Sequence, residues 1–446
     1  MATSRVLTII GCFLGTLVAL PFPATVQGSE IVPPGIHAKT DAGAGQTGSR
    51  GPSAVFFNPA NMIYARRFEP YADVSFLSLN YTYTHTDAKF TPTTIAVNAP
   101  PVTLGATVRL VPSFALGVTF VPLGTGTKTK IENVPIKLPL GENSDFVALN
   151  ITRGSTMYKL GVGAAYRIAY PFTVGVGLLR TSEASTLVIT DPKNEESPIV
   201  DAQFKGAFHQ FVFGARSEVA SRKFVLAGSY RTATTMAYAG DIAINGGEFT
   251  PYEGAGYLPA VLGLGIEGRL GNFGIFGDYT REFWSAARTV VKMGVEGEPT
   301  ETDFLDTNSI VGGARFWFGK NSITGAFGYL TPNVGQGTED PNASSSGDGL
   351  LKSKLQDDGG DGDSDGNGEE SQDAVAAING MSFGNMDGLI RMVFSGGYRY
   401  HLSGHGYAQG GLYYLTGNRT IPEGFSGEGT YSLRIILASV GFAYGF

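Results

Sequence analysis

The sequence predicts an all-β protein: a transmembrane antiparallel up-and-down β-barrel of about 14 strands, with an N-terminal plug (hatch) in its lumen. Three observations predict it. After residue 28 no run approaches the roughly 20 apolar residues of a spanning helix, yet 42% of residues are hydrophobic, 11% are aromatic and 63 are Gly. Connections between strand-like segments alternate between tight and long. The chain also ends in an alternating strand that stops at Phe446.

The first 28 residues read as a cleaved secretory signal. Arg5 gives the positive start, Val6 to Phe22 the apolar run, and Val26-Gln27-Gly28 a cleavage box before Ser29. The run is short and closed by prolines, which disfavours a membrane anchor. Cys12 is the only cysteine and leaves with the signal, so the mature chain holds neither disulfides nor a thiol nucleophile.

Net charge is −7, and the segment from Glu339 to Asp373 alone carries −9, which leaves the rest at +2. A near-neutral body without a basic patch excludes nucleic acid as a partner.

The body, residues 68–446, reads as hairpins of strands about as long as the 9–11 residues that cross a bilayer at a tilt. Tight turns fall near Pro112-Ser113, Ala169-Tyr170-Pro171, Ala220-Ser221-Arg222, Gly271-Asn272, Gly319-Lys320-Asn321 and Ser403-Gly404. Long polar connections fall near 87–101, 123–154, 188–203, 237–256, 289–306, 332–387 and 418–429. Six and seven connections make fourteen strands, with short turns on one side and long loops on the other, as in bacterial outer-membrane barrels.

Face patterns agree. Tyr158, Leu160, Val162, Ala164, Tyr166 and Ile168 share one face, and Lys159 and Arg167 lie opposite. Met392, Phe394, Tyr398, Tyr400 and Leu402 share another, with Arg391, Ser395, Arg399 and His401 behind them. Period-two alternation with charge on one face fits lipid outside and a polar lumen inside. In the last strand Ile436, Ala438, Val440, Phe442, Tyr444 and Phe446 alternate to the end. That ending resembles the C-terminal signature read by the outer-membrane barrel assembly machinery. The expected location is the bacterial cell outer membrane, among its lipids, with a monomer as the unit.

Residues 29–67 lack strand periodicity but carry Val55-Phe56-Phe57 and Met62-Ile63-Tyr64. These are too apolar for a disordered lead-in, and a small plug inside the lumen explains them better.

Here the residues resemble a known family. Asp41-Ala42-Gly43-Ala44-Gly45, then Ser53-Ala54-Val55-Phe56-Phe57-Asn58-Pro59-Ala60 ahead of the strand near Phe68, resembles the plug of FadL-type outer-membrane long-chain fatty-acid transporters. Pro112 to Phe120 is similar to that family's second tight turn and strand, and Leu258-Pro259 to a recurrent strand start.

The resemblance implies passive, ligand-gated diffusion of hydrophobic molecules, with fatty acids as the default ligand. It also implies lateral release into the membrane through a kink in the third strand, with Asn58, Pro59 and Ala60 facing that gap. The third strand spans Phe114 to about Pro122, followed by Leu123-Gly124. Pro122 lacks a ladder N–H and Gly124 tolerates unusual dihedrals, so broken pairing is expected there; the alternative is that Pro122 simply ends the strand. The 332–387 insert departs from the family and leaves aromatic or other hydrocarbons open as ligands.

Other chemistry is thin. Asp361, Asp363, Asp365, Asn367 and Glu369 alternate like the first nine positions of a calcium loop, with Gly366 at the turn. Gln372 stands where a bidentate Glu belongs, so a solvated low-complexity loop competes with calcium binding. No other cofactor is implied. Arg167, Arg216, Arg231, Arg315, Arg391 and Arg399 are candidates to face the lumen, either to pair with a ligand carboxylate or with Glu267 and Asp278. His209 and Ser229 lie on neighbouring strands without a carboxylate in triad order, so the chain reads as no enzyme. The competing function is a general diffusion porin with a water-filled lumen, which would not need the apolar plug.

Overall fold

The computed structural model describes residues 33, 35–84, 93–99, 101–137, 146–219, 223–244, 246–286, 288–292, 300–301, 305–332, 389–402, 405–421 and 429–445. Nineteen hydrogen-bonded segments form one barrel. In order they are β1 (Phe68–Thr84), β2 (Thr93–Ala99), β3 (Val102–Val111), β4 (Phe114–Lys137), β5 (Phe146–Ala169), β6 (Phe172–Asp191), β7 (Asn194–Val219), β8 (Phe224–Arg231), β9 (Thr234–Ile244) and β10 (Thr250–Leu258). Then come β11 (Val261–Leu270), β12 (Phe273–Glu282), β13 (Arg288–Lys292), β14 (Thr300–Glu301), β15 (Thr307–Phe318), β16 (Asn321–Leu330), β17 (Ile390–His401), β18 (Gly406–Ile421) and β19 (Gly429–Tyr444).

Five staves of the barrel are each made of two successive segments. β1 pairs with both β2 and β3, and β7 with both β8 and β9. In the same way β10 continues into β11, β12 into β13 and β14 into β15. The result is a closed fourteen-stranded antiparallel barrel, sealed where β1 pairs with β19 from Tyr71↔Ala443 to Thr84↔Thr430. Proline accounts for two of the interruptions: Pro101 precedes β3 and Pro259 precedes β11. A residue without an N–H cannot continue a ladder. Between β8 and β9 the ladder is replaced by Thr232, whose hydroxyl accepts from Phe211 N at 3.0 Å.

Ala220-Ser221-Arg222 and Ser403-Gly404 lie outside the described residues, and the turns at Pro112-Ser113, Ala169-Tyr170-Pro171, Gly271-Asn272 and Gly319-Lys320-Asn321 fall where the sequence places them. Four of the long connections do not. β4, β5, β6 and β7 run for 24, 24, 20 and 26 residues, about twice what a bilayer needs. The expected loop at 188–203 is a tight hairpin between Asp191 and Asn194, and most of the one at 123–154 is strand. β2 likewise occupies part of 87–101, and β9 and β10 fill much of 237–256. Polar sequence misleads here because a strand standing above the membrane has a wet outer face. The 333–388 segment, with the acidic loop, and residues 1–32 lie outside the described residues.

Outward side chains form an apolar skin. Phe76, Leu412 and Val440 are each more than 60% exposed, and Tyr158, Leu160, Val162, Tyr166 and Ile168 of β5 all face out, as expected. A soluble protein does not carry such a surface around its whole circumference, whereas lipid requires it. Tyr158 and Tyr166 are eight residues apart, about 20 Å of height at barrel tilt, close to the ~25 Å apolar band between aromatic girdles. The opposite face of β5 is buried, including Met157, Lys159 and Ala165. The same alternation holds in β19, where Ile436, Val440 and Phe442 face out and Ile435, Leu437 and Ser439 face in.

Leu412 lies six residues from the start of β18, near mid-height, and is 64% exposed. Leu412→Arg is expected to destabilise the barrel in lipid by about 2–4 kcal/mol, read from denaturant unfolding in vesicles. A buried-face substitution at neighbouring Tyr413 does not meet that lipid penalty.

Candidate functional site

The plug is a chain of short turns fitted inside the barrel: α1 (Ile36–Thr40), a 3-10 turn at Gly51–Ser53, α2 (Ala54–Phe57) and a 3-10 turn at Pro59–Tyr64. None is long enough to be stable alone, so the wall holds each in place. Val55, Phe56, Met62 and Ile63 are buried against Ala115, Val121, Ala165, Leu179 and Val212 of the wall. The expectation of a folded plug from these apolar residues is met.

Asn58 caps the last turn: its side-chain oxygen accepts from Ala60 N at 3.1 Å. Its amide donates outward to the carbonyls of Ala215 at 3.0 Å and Gly228 at 3.2 Å. One side chain thus starts a plug turn and docks it on the wall. Pro59 fixes φ at the first helical position, and Pro59 and Ala60 pack directly on Gly175. A Cβ at Gly175 would meet Ala60 N at 2.4 Å, and one at Gly214 would meet the Asn58 oxygen at 2.2 Å. Glycine is the side chain that lets plug and wall approach this closely.

The β4 strand changes register near Pro122. β4 pairs with β5 at Pro122↔Tyr158 and then shifts between Pro122 and Gly124 and again between Gly124 and Thr127. On the other side, the β3 ladder to β4 ends at Leu104↔Phe120. The strand does not end at Pro122, because β4 continues to Lys137. The hatch motif lies elsewhere: its contacts run to β6, β7 and β8, whereas the break is on β4.

Polar groups hold the rest of the plug. Lys39 bonds Asp73 and donates to Ser75 at 2.7 Å. Asp41 meets Arg315 at 2.8 Å. Gln46 N donates to Asp278 at 2.7 Å. Arg216 donates to Thr47 O at 2.9 Å, to Asn61 at 3.0 Å and to Glu218 at 3.0 Å. Gln409 donates to the Thr40 hydroxyl and Ser395 to the Thr40 carbonyl, both at 2.8 Å.

His37 is fixed between Arg399, at 2.5 Å from Nδ1, and the Tyr407 hydroxyl, at 2.9 Å from Nε2. A guanidinium can only donate, so Nδ1 accepts and Nε2–H donates, which requires the neutral ring. Burial holds the His37 pKa well below its usual value, and the charge of Arg399 adds to this.

Of the arginines singled out, Arg216, Arg315 and Arg399 therefore serve the plug. Glu267 pairs with Arg269 instead, at 2.8 Å. Arg391 is fully buried, and Arg231 lines a cavity beside the plug. Arg167 lies 5.5 Å from the Tyr64 ring centroid. His209 is exposed and Ser229 lines the same cavity as Arg231, so the two do not share a face. The calcium-loop residues Asp361, Asp363, Asp365, Asn367 and Glu369 lie outside the described residues.

Above the plug the lumen changes character. Tyr81, Leu187, Phe204, Tyr413, Leu433 and Ile435 belong to one buried apolar cluster contributed by staves around the barrel. Alternation alone does not reveal this, because the inner face is polar beside the plug and apolar further up. The signal was the pair of Tyr81 and Tyr83 with Tyr431 and Leu433 at the far ends of β1 and β19.

Two outcomes follow. Gly214→Val is expected to displace the plug and raise ion conductance in planar bilayers several-fold, while Gly325→Ala, whose Cβ meets nothing within 4 Å, leaves it unchanged. Docking of neutral His37 is fully favourable above its ordinary pKa of about 6.5 and weakens as pH falls below that value. Conductance is expected to rise from pH 7 to pH 5, and His37→Gln should flatten that response.

No family model and no curated protein sequence matches the chain. Solved structures do. A FadL homologue of Pseudomonas aeruginosa matches at TM-score 0.60 and 13% identity, over 93% of this chain and 98% of that one. The Pseudomonas putida toluene transporter TodX matches at 0.60 and 12%, over 93% and 99%. The Ralstonia pickettii toluene transporter TbuX matches at 0.59 and 12%, over 94% and 100%. At this identity the likeness is one of fold, and the fold is that of the FadL-type outer-membrane transporters.

Proposed function

We propose that the protein is an outer-membrane transporter for passive, ligand-gated diffusion of hydrophobic molecules, with long-chain fatty acids the first ligand to test. The observation that carries this reading is the division of the lumen. An apolar upper half stands over a floor closed by a plug that buries Lys39, Asp41 and Asn58. A porin needs continuous water; this floor obstructs it. The toluene transport named for two of the structural neighbours supports the hydrophobic class.

Release is sideways, through the wall at Pro122 and Gly124, where β4 loses register with β5 and β3 no longer pairs with it. Exit into the bilayer avoids returning a chain to water, which costs roughly 0.8 kcal/mol per CH₂. The hatch residues Asn58, Pro59 and Ala60 keep the floor closed rather than face that break. Single-ring hydrocarbons form a second reading, favoured by a cavity of about 110 Å³ beside the plug, on the scale of the ~150 Å³ engineered cavity that binds benzene.

Labelled oleate uptake and ion conductance, measured on one purified preparation, test the proposal. The intact protein is expected to take up oleate with little conductance, and deletion of residues 43–60 to raise conductance. Large steady conductance in the intact protein, indifferent to oleate and to the deletion, would leave a porin. Pro122→Val, which restores a ladder donor, is expected to slow oleate delivery into vesicle lipid several-fold without changing conductance.

A further inference from the structure

Where the apolar band of β6 and β7 ends, the lipid-facing surface turns positive. Going up from the short turns, β6 shows Val174 and Val176 to lipid, and β7 shows Phe213 and Phe211. Above them stand Arg180 and His209, which pair directly across the two strands. Lys205 follows on the same face of β7, opposite Ala184. All three are exposed, and their side chains make no hydrogen bond or ion pair among the described residues. Arg180 lies beside Leu160, one outward position short of Tyr158 in the aromatic girdle. Its stem rests on apolar surface while the guanidinium reaches past the girdle. The outward acids of this wall, Asp201 and Asp241, come only above Lys205, and neither pairs with it.

An unpaired cation at this height draws its anion from the membrane itself. The long loops rise from this end, which in outer-membrane barrels faces the cell exterior. The leaflet there is built on lipid A, a glucosamine disaccharide with a phosphate at each end. Lys205 is four residues from His209, about 13 Å along a strand, so the cations form two poles rather than one. A glycerophospholipid has a single phosphate and fits one pole only. Below the poles, the stacked rings of Phe211 and Phe213 offer acyl chains a flat apolar wall.

We propose that this strip of β6 and β7 docks lipid A. One phosphate accepts from Arg180 and His209, the other accepts from Lys205, and acyl chains lie on Phe211 and Phe213. The strip is on the outer wall, so its occupant is independent of what passes through the lumen.

Native mass spectrometry of the full protein in neutral detergent compares bis-phosphorylated lipid A, its monophosphorylated form and phosphatidylglycerol. Lipid A is expected to bind about tenfold tighter than either, the difference of one charge-assisted hydrogen bond. Arg180→Gln with Lys205→Gln should bring all three to equal affinity. The charge-keeping pair Arg180→Lys with Lys205→Arg should retain the preference. Lys193→Gln, at the exposed tip of the β6–β7 hairpin, removes a charge elsewhere on the same wall and should change nothing. Heat-modifiable migration in gels checks that each variant is folded.

Lipid A bound no tighter than phosphatidylglycerol overturns the proposal, because any anionic lipid then serves. So does a preference for the bis-phosphorylated form that survives the double glutamine variant, or one lost equally in Lys193→Gln, which marks a diffuse charge effect. If the double variant does not fold, Lys205→Gln alone decides: it should lower lipid A to the affinity of the monophosphorylated form, and unchanged lipid A binding sinks the two-pole site.

Discussion

Lipid offers no hydrogen bonds, so each backbone group of a spanning segment must find a partner within the protein. The remaining features of this structure follow from that constraint. It forces closure, which here means the β1–β19 seam. Closure fixes two faces, and alternation then assigns Phe76 and Val440 to lipid and Lys159 and Ser439 to the interior. A fourteen-stranded ring is too wide for its own inward side chains to fill, and the plug occupies the space that remains. The same constraint makes the interruptions informative. Pro122 and Pro259 bring no N–H to the ladder, so the wall is less regular there, whereas Thr232 keeps both of its bonds to Phe211.

The plug is held by a mixture suited to reversible docking. Buried ion pairs such as Asp41–Arg315 gain little over an apolar contact once desolvation is counted, but losing one partner costs about 3–5 kcal/mol. They therefore specify one seating of the plug rather than supply much of its stability. Close packing of Val55 and Met62 on wall glycines supplies the apolar part. The polar contacts thus orient the plug, while a separate apolar cluster lines the lumen beyond it.

How much of this the sequence shows depends on which physical signal each part obeys. Strand count and tight turns are legible because Gly271-Asn272 or Gly319-Lys320-Asn321 are turn chemistry, which acts locally. The lipid face is legible because alternation is local too. The heights of β4 to β7 are not: outside the membrane a strand obeys no hydrophobic rule on its outer face, so Asp191 to Asn194 looks like loop and is a hairpin. The docking of Asn58 on Ala215 and Gly228 is illegible for a different reason. It joins residues more than 150 apart in the chain, and nothing near Asn58 encodes which wall glycine it meets. The bond from Gln46 N to Asp278 is hidden in the same way, since it joins residues 232 apart in the chain.

The length of β4 has one more consequence. Beyond Phe120 its edge toward β2 carries no ladder among the described residues, and the strand continues to Lys137, on the order of 40 Å above Pro122 at barrel tilt. An unpaired edge standing in water is a template for adding foreign strands. Lys128, Lys130, Glu132 and Pro135 lie along this stretch, and Lys130 is tied to Glu132 and Glu195. Charges and a proline are what discourage two such edges from zipping together. A wall that rises past the bilayer thus carries its own protection against edge-to-edge pairing.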